Sequence, residues 1–183
     1  QDPKSLMDNI IQRIEEEKMA VIIMEIVGKN HSGLFYPTVS GVAQSYNYYP
    51  VSYMKRNEGI SFLALGLGRT IADGEKSLRV SPRYPNILPQ YYSISSTIEN
   101  SQNEFYALNL SDGKNPMMGG VEDNIKRYPL EIAESDGELK WTASVVSSDN
   151  NVIRDSLKDT GPRVMTFAPL LKWGEFPLCD LLN

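Results

Sequence analysis

The spacing of apolar positions changes character several times along the chain. In KSLMDNIIQRIEEEK, residues 4–18, Leu6, Ile10, Ile11 and Ile14 fall on one stripe at helical spacing. Asp2 and Pro3 stand where a cap and a first-turn proline belong, so the pattern predicts a helix whose acidic run Glu15–Glu17 faces solvent. The helical period then stops. AVIIMEIV, residues 20–27, is β-branched and apolar almost throughout, which predicts a strand covered on both faces. GKNHSG (28–33) predicts a turn, and residues 34–50 an extended segment interrupted at Pro37 and Gly41. Together they describe a hairpin with an irregular second arm.

Further along, GISFLALGL (59–67) predicts a strand, GRTIADGE a short helical turn or loop, and SLRVSP a brief strand before a proline-rich loop from Pro82 to Pro89. NEFYALNL (103–110) predicts a strand closed by the turn SDGKNP. Residues 117–138 accommodate both a short helix and a strand, and NNVIRDSL carries too little pattern to assign. LKWTASVVS (139–147) and PRVMTFAP (162–169) predict strands, and LLKWGEFPLCDLLN the start of a helix. Strands outnumber helices without regular alternation, so the predicted class is α+β, with no internal repeat. The last residues, FPLCDLLN, form an apolar run without a capping glycine or polar tail. The expectation is one partial domain, residues 1–183, belonging to a larger multidomain protein and truncated at both ends.

Composition narrows the function classes. Of 183 residues, 41% are hydrophobic, enough for a core. Eighteen Lys and Arg against 23 Asp and Glu leave a net charge of -5, which argues against a surface built to hold nucleic acid. Cation pairs such as Lys55–Arg56 and Lys126–Arg127 read as solvated surface. One cysteine, Cys179, and one histidine, His31, exclude an internal disulfide and disfavour both a conventional zinc site and a Cys–His catalytic pair. Cys179 sits in apolar sequence and is expected to be buried, whereas His31 in KNHSG is expected to be exposed. No apolar run approaches the roughly 18 residues of a membrane span, and the first residues lack the pattern of a signal peptide. A soluble, cytoplasmic protein is expected.

Candidate chemistry gathers at three places. In SFLALGLGRTIADGE, residues 61–75, Gly66, Gly68 and Gly74 fit neither G-x-G-x-x-G, because Ile71 takes the third position, nor a P-loop, which needs Gly-Lys and then Ser or Thr. They read as a phosphate-contacting loop or as a corner needing small residues, the corner being the simpler reading. Glu25, inside IIMEIVG, faces either solvent or a ligand, since burying its charge unpaired is costly. The tyrosines of SYNYYPVSY either stack on a base or wedge a loop onto the core, the latter being commoner beside a proline.

The order VIIMEIVGKNHSGLFYPTVSGVAQSYNYYP, then GISFLALGLGRTIADGE, then RVSPRYP resembles the nucleotide-binding region of phosphoenolpyruvate synthases and pyruvate phosphate dikinases. In that family a V-Q-x-M-V strand precedes S-G-V-x-F-T and then G-L-G-E. Here Ile23–Val27, Val39–Val42 and Gly66–Gly68 occupy those positions, and the similarity is strongest from about residue 20 to 85. The resemblance implies an ATP-grasp fold with a mainly antiparallel sheet and few helices. It also implies that Glu25, Ile26 and Val27 present backbone groups to adenine.

For the longer protein it implies ATP and magnesium, with phosphate passing from ATP to a histidine on a separate domain and from there to pyruvate on a third. Met24, Gln44, Ser45, Phe62 and Arg69 depart from the family pattern, Phe62 and Arg69 replacing glutamates. The family's acidic D/E-x-E strand and its Q-x-R, to which metal and triphosphate binding belong, have no match. The resemblance therefore assigns this chain no catalytic and no metal-ligating residue, and no tight nucleotide binding. Two other readings stay open: a degenerate nucleotide-binding or regulatory module, and a related phosphotransferase with a different acceptor.

Overall fold

In the computed structural model, residues 19–51, 53–111, 124–172 and 178–182 are described. The predicted helix over 4–18 and most of the predicted turn SDGKNP lie outside these residues, as does the middle of LLKWGEFPLCDLLN. The described residues form ten strands, six short α-helices and one 3-10 turn, Arg56–Glu58. The strands are β1 (Lys29–His31), β2 (Leu34–Tyr36), β3 (Ser40–Gln44), β4 (Ile60–Ala64), β5 (Leu78–Val80), β6 (Glu104–Asn109), β7 (Ile125–Pro129), β8 (Ala143–Ser147), β9 (Val152–Arg154) and β10 (Arg163–Met165). The helices are α1 (Arg69–Ala72), α2 (Ile94–Asn100), α3 (Leu130–Ser135), α4 (Leu139–Thr142), α5 (Ala168–Leu171) and α6 (Leu178–Leu182).

All strand pairings are antiparallel, in three sheets ordered β1-β2-β6-β7, β3-β4-β5 and β10-β8-β9. The class is α+β, as the strand-rich, non-alternating pattern predicts. β1 and β2 are joined by Ser32 and Gly33, whose φ angles of 52° and 102° match the right-handed twist of a two-residue hairpin. The turn is therefore shorter than the six residues expected. Its second arm breaks at Pro37, and β3 joins a different sheet, pairing Ser40 with Ala64 and Gln44 with Ile60. Tyr36, Leu65, Phe105, Leu139 and Phe167 meet in one hydrophobic core that the sheets and short helices share.

Several expectations give way. Residues 20–27 form no strand, and their side chains are exposed, Ile23 at 92%. High β-propensity describes how well a side chain fits a pleated, half-covered surface; it does not supply a ladder partner. Pairing begins only at Lys29, where the hairpin turn brings β2 alongside. LKWTASVVS starts as helix α4, not strand, because Leu139 and Thr142, three residues apart, both turn into the core. PRVMTFAP leaves the strand after Met165; Phe167 takes a left-handed φ of 51° and Pro169 opens α5. Residues 117–138 hold both candidates, β7 and α3. Helix α2 lies where no element was predicted, although Ser93 marks its start by accepting a hydrogen bond from Ser96 N at 3.1 Å.

Candidate functional site

The glycine stretch builds a corner. β4 ends at Ala64, Gly66 adopts φ 84°, and α1 begins at Arg69. A Cβ at Gly66 would sit 2.7 Å from the Tyr106 carbonyl oxygen, so only glycine allows this approach to β6. Two amides of the stretch are already used by the fold: Gly66 N–H donates to Pro37 O at 3.2 Å and Leu67 N–H to Tyr106 O at 2.8 Å. Arg69 pairs with Asp73 at 3.0 Å and lies 5.2 Å from the Tyr106 ring centroid, a position shared by Arg127 on the same ring. Phe62 is half-buried on β4, opposite Val42 and Arg79.

An apolar groove of about 570 Å³ opens beside the residues that precede β1. Val27, Gly28 and Lys29 form one side; Pro37, Thr38 and Val39, between β2 and β3, form another; Trp141, Leu170 and Leu178 complete it. Among the described residues, no backbone hydrogen bond is formed by Val27 or Gly28. Of the three residues expected to face adenine, Val27 lines the groove, whereas Glu25 and Ile26 are exposed outside its lining.

A polar cluster lies against this groove. Glu138, 5% exposed, accepts a short hydrogen bond from the Thr38 hydroxyl. Lys29 Nζ and His31 Nε2 each stand 3.7 Å from Glu138 Oε1. His31 stacks on Tyr36 with ring centroids 4.5 Å apart. The Tyr36 hydroxyl donates to Asp136 at 2.5 Å, and burial, with that bond and the nearby carboxylates, raises its pKa well above the usual tyrosine value. His31 is thus mostly covered rather than exposed, because the two-residue turn folds β1 back and packs the imidazole on Tyr36. Nothing in the local sequence around Glu138 or Trp141 announces these roles, since their partners lie about a hundred residues away.

The remaining candidates lie outside the groove and its polar cluster. Tyr46, Tyr48, Tyr49 and Tyr53 are exposed instead of wedged into the core. The anchor of their loop is Asn47, 1% exposed, whose N–H donates to Arg56 O at 2.7 Å and whose Oδ1 accepts from Arg79 at 3.0 Å. Cys179 is half-buried beside the core, and burial pushes its thiol pKa up, which disfavours the thiolate a nucleophile needs. Among the described residues, no three His, Cys, Asp or Glu side chains are arranged to hold a metal ion, and no helix is long and apolar enough to cross a membrane. Compared with protein-family models, curated proteins and solved structures, the chain gives no match.

Proposed function

We propose that this chain is part of the ATP-grasp domain of a cytoplasmic, phosphoenolpyruvate synthase-like phosphotransferase, and that its groove receives the adenine of ATP. The carrying observation is that Val27, the last residue of the segment matched to the family's adenine-facing strand, and its neighbour Gly28 border an apolar groove with their backbone groups unengaged. A purine suits such a site. Its flat faces pack on Val39, Trp141 and Leu170, while its edge takes hydrogen bonds from main-chain groups.

The longer protein would convert pyruvate, ATP and water to phosphoenolpyruvate, AMP and phosphate through a phosphohistidine on another domain. When bound, magnesium would neutralise and orient the phosphates. The described residues supply no ligand set for it, so on this reading the metal and triphosphate ligands come from segments other than these. What this chain contributes is binding and orientation: the groove excludes water from the purine, and Lys29 and Thr38 mark its polar side.

Arg69 favours a second reading, a non-catalytic nucleotide-binding or regulatory module. It replaces the glutamate of the G-L-G-E pattern and is engaged with Asp73 and Tyr106. Assay of the longer protein separates the two. Pyruvate-dependent formation of AMP from Mg-ATP supports the phosphotransferase. Nucleotide binding without AMP formation supports the module, and absence of both overturns the nucleotide assignment.

A further inference from the structure

A second, polar cleft of about 670 Å³ lies at the opposite end of β3 and shares no lining residue with the apolar groove. Its floor is Gln44 and Ser45, where β3 leaves the sheet. One wall is the tight turn Lys55–Gly59 and the other is Pro82–Arg83, following β5.

Both walls are held in place. Gly59 has φ 72°, and a Cβ there would lie 2.7 Å from Gln44 O, so floor and wall are in backbone contact. Glu58 Oε2 accepts from Lys55 N–H at 2.7 Å, and Glu58 N–H donates to Lys55 O at 3.2 Å. Tyr84 N–H donates to Ser81 O at 3.0 Å, closing a turn around Pro82 and Arg83. The Tyr84 ring meets Tyr53 edge-on at 4.8 Å.

Charge in this cleft is unbalanced toward the ligand. Glu58 is its one acidic lining residue, and that carboxylate is committed to the frame: its side chain is 12% exposed, and it holds Arg83 Nε at 3.4 Å and the Tyr84 hydroxyl at 3.4 Å. The ion pair brings Arg83 Nε to Glu58, and the Arg83 side chain stays 66% exposed. Among the described residues, the Arg83 guanidinium and Lys55 Nζ donate no hydrogen bond, and Lys55 Nζ has no ion-pair partner. A planar fork and a point charge facing one cleft suit a group with several anionic oxygens better than a single carboxylate. The volume admits a small metabolite.

We infer that this cleft binds a phosphate-bearing small molecule, with Arg83 and Lys55 holding the phosphate and Gln44, Ser45 and Asn57 hydrogen-bonding the remainder. Titration with inorganic pyrophosphate, followed through backbone amide chemical shifts, tests it. The expected result is saturable movement of the Lys55–Gly59 and Arg83 amides. Arg83→Gln and Lys55→Met should each weaken the midpoint by about fivefold or more, and acetate at matched ionic strength should leave these amides in place. Lys55 is exposed, so the second variant keeps the test open should the first fail to fold. No movement by about 10 mM pyrophosphate, an unchanged midpoint in the Lys55 variant, or equal movement with acetate overturns the inference.

Discussion

The side-chain amide of Gln102 pairs with both backbone groups of Leu65: Oε1 accepts from Leu65 N–H at 2.9 Å, and Nε2 donates to Leu65 O at 3.0 Å. β4 has by then run out of strand partners, and the glutamine acts as one more rung of the ladder. The same Nε2 also donates to Glu104 O at 2.9 Å, which fastens the corner to the first residue of β6. The glycine stretch is thus held in place from α2's C-terminal side, by a residue that nothing in its own sequence surroundings marks out.

Replacing Gln102 with leucine should be among the more damaging changes in the chain. It strands a buried N–H and a buried C=O at Leu65, each costing about 1–3 kcal/mol, so a loss of roughly 2–6 kcal/mol is expected. Urea unfolding of the variant against the parent chain measures it. A loss below about 0.5 kcal/mol, the ordinary range for an uninvolved surface site, would contradict the clamp.

The two glycines of GLG should separate. Gly66→Ala meets a left-handed φ and the Tyr106 carbonyl, and should destabilise by about 1–3 kcal/mol. A Cβ at Gly68 meets nothing within 4 Å, and its φ of -62° is ordinary, so Gly68→Ala should be neutral or mildly stabilising. Melting temperatures decide it; equal losses at both positions would speak against the corner geometry.

Alkaline pH should destabilise the fold through buried tyrosines. Burial pushes Tyr91 up to about 12, partly offset by Ser101, and Tyr36 is raised as well. An unfolded tyrosine titrates near 10, so the unfolded chain loses these protons first. The stability is fully present below about pH 10 and is lost as pH rises toward the folded values. Tyr91→Phe, which also gives up a hydrogen bond to Met165 O at 2.8 Å, should start less stable and then lose less between about pH 10 and 12. Urea midpoints across that range show the difference; identical slopes for both proteins would refute it.

Elements that alternate and pair locally were readable before the structure. ISFLA became β4 and NEFYALNL became β6, because each carries its own strand pattern and lies between partners in the sheet. AVIIMEIV departs from its pattern for the opposite reason: its composition suits a covered strand, but covering is a property of the neighbours. The groove was legible only at Val27, through the resemblance. Its other walls, Pro37–Val39, Trp141, Leu170 and Leu178, come together through long-range packing that no local pattern encodes. Glu138 is similar, since only the packing shows that it draws Lys29, His31 and Thr38 together.

The most direct test of the adenine groove is a titration of this chain with adenosine and, separately, with Mg-ATP, followed through backbone amide shifts. Weak binding is expected, with dissociation constants of about 0.1 mM or higher. The largest shifts should fall at Val27–Lys29 and Thr38–Val39, and at these amides the two ligands should agree within about threefold, because the triphosphate finds no ligands of its own beside this groove. Unmoved amides at those positions, or low-micromolar binding that requires the triphosphate, would contradict the account.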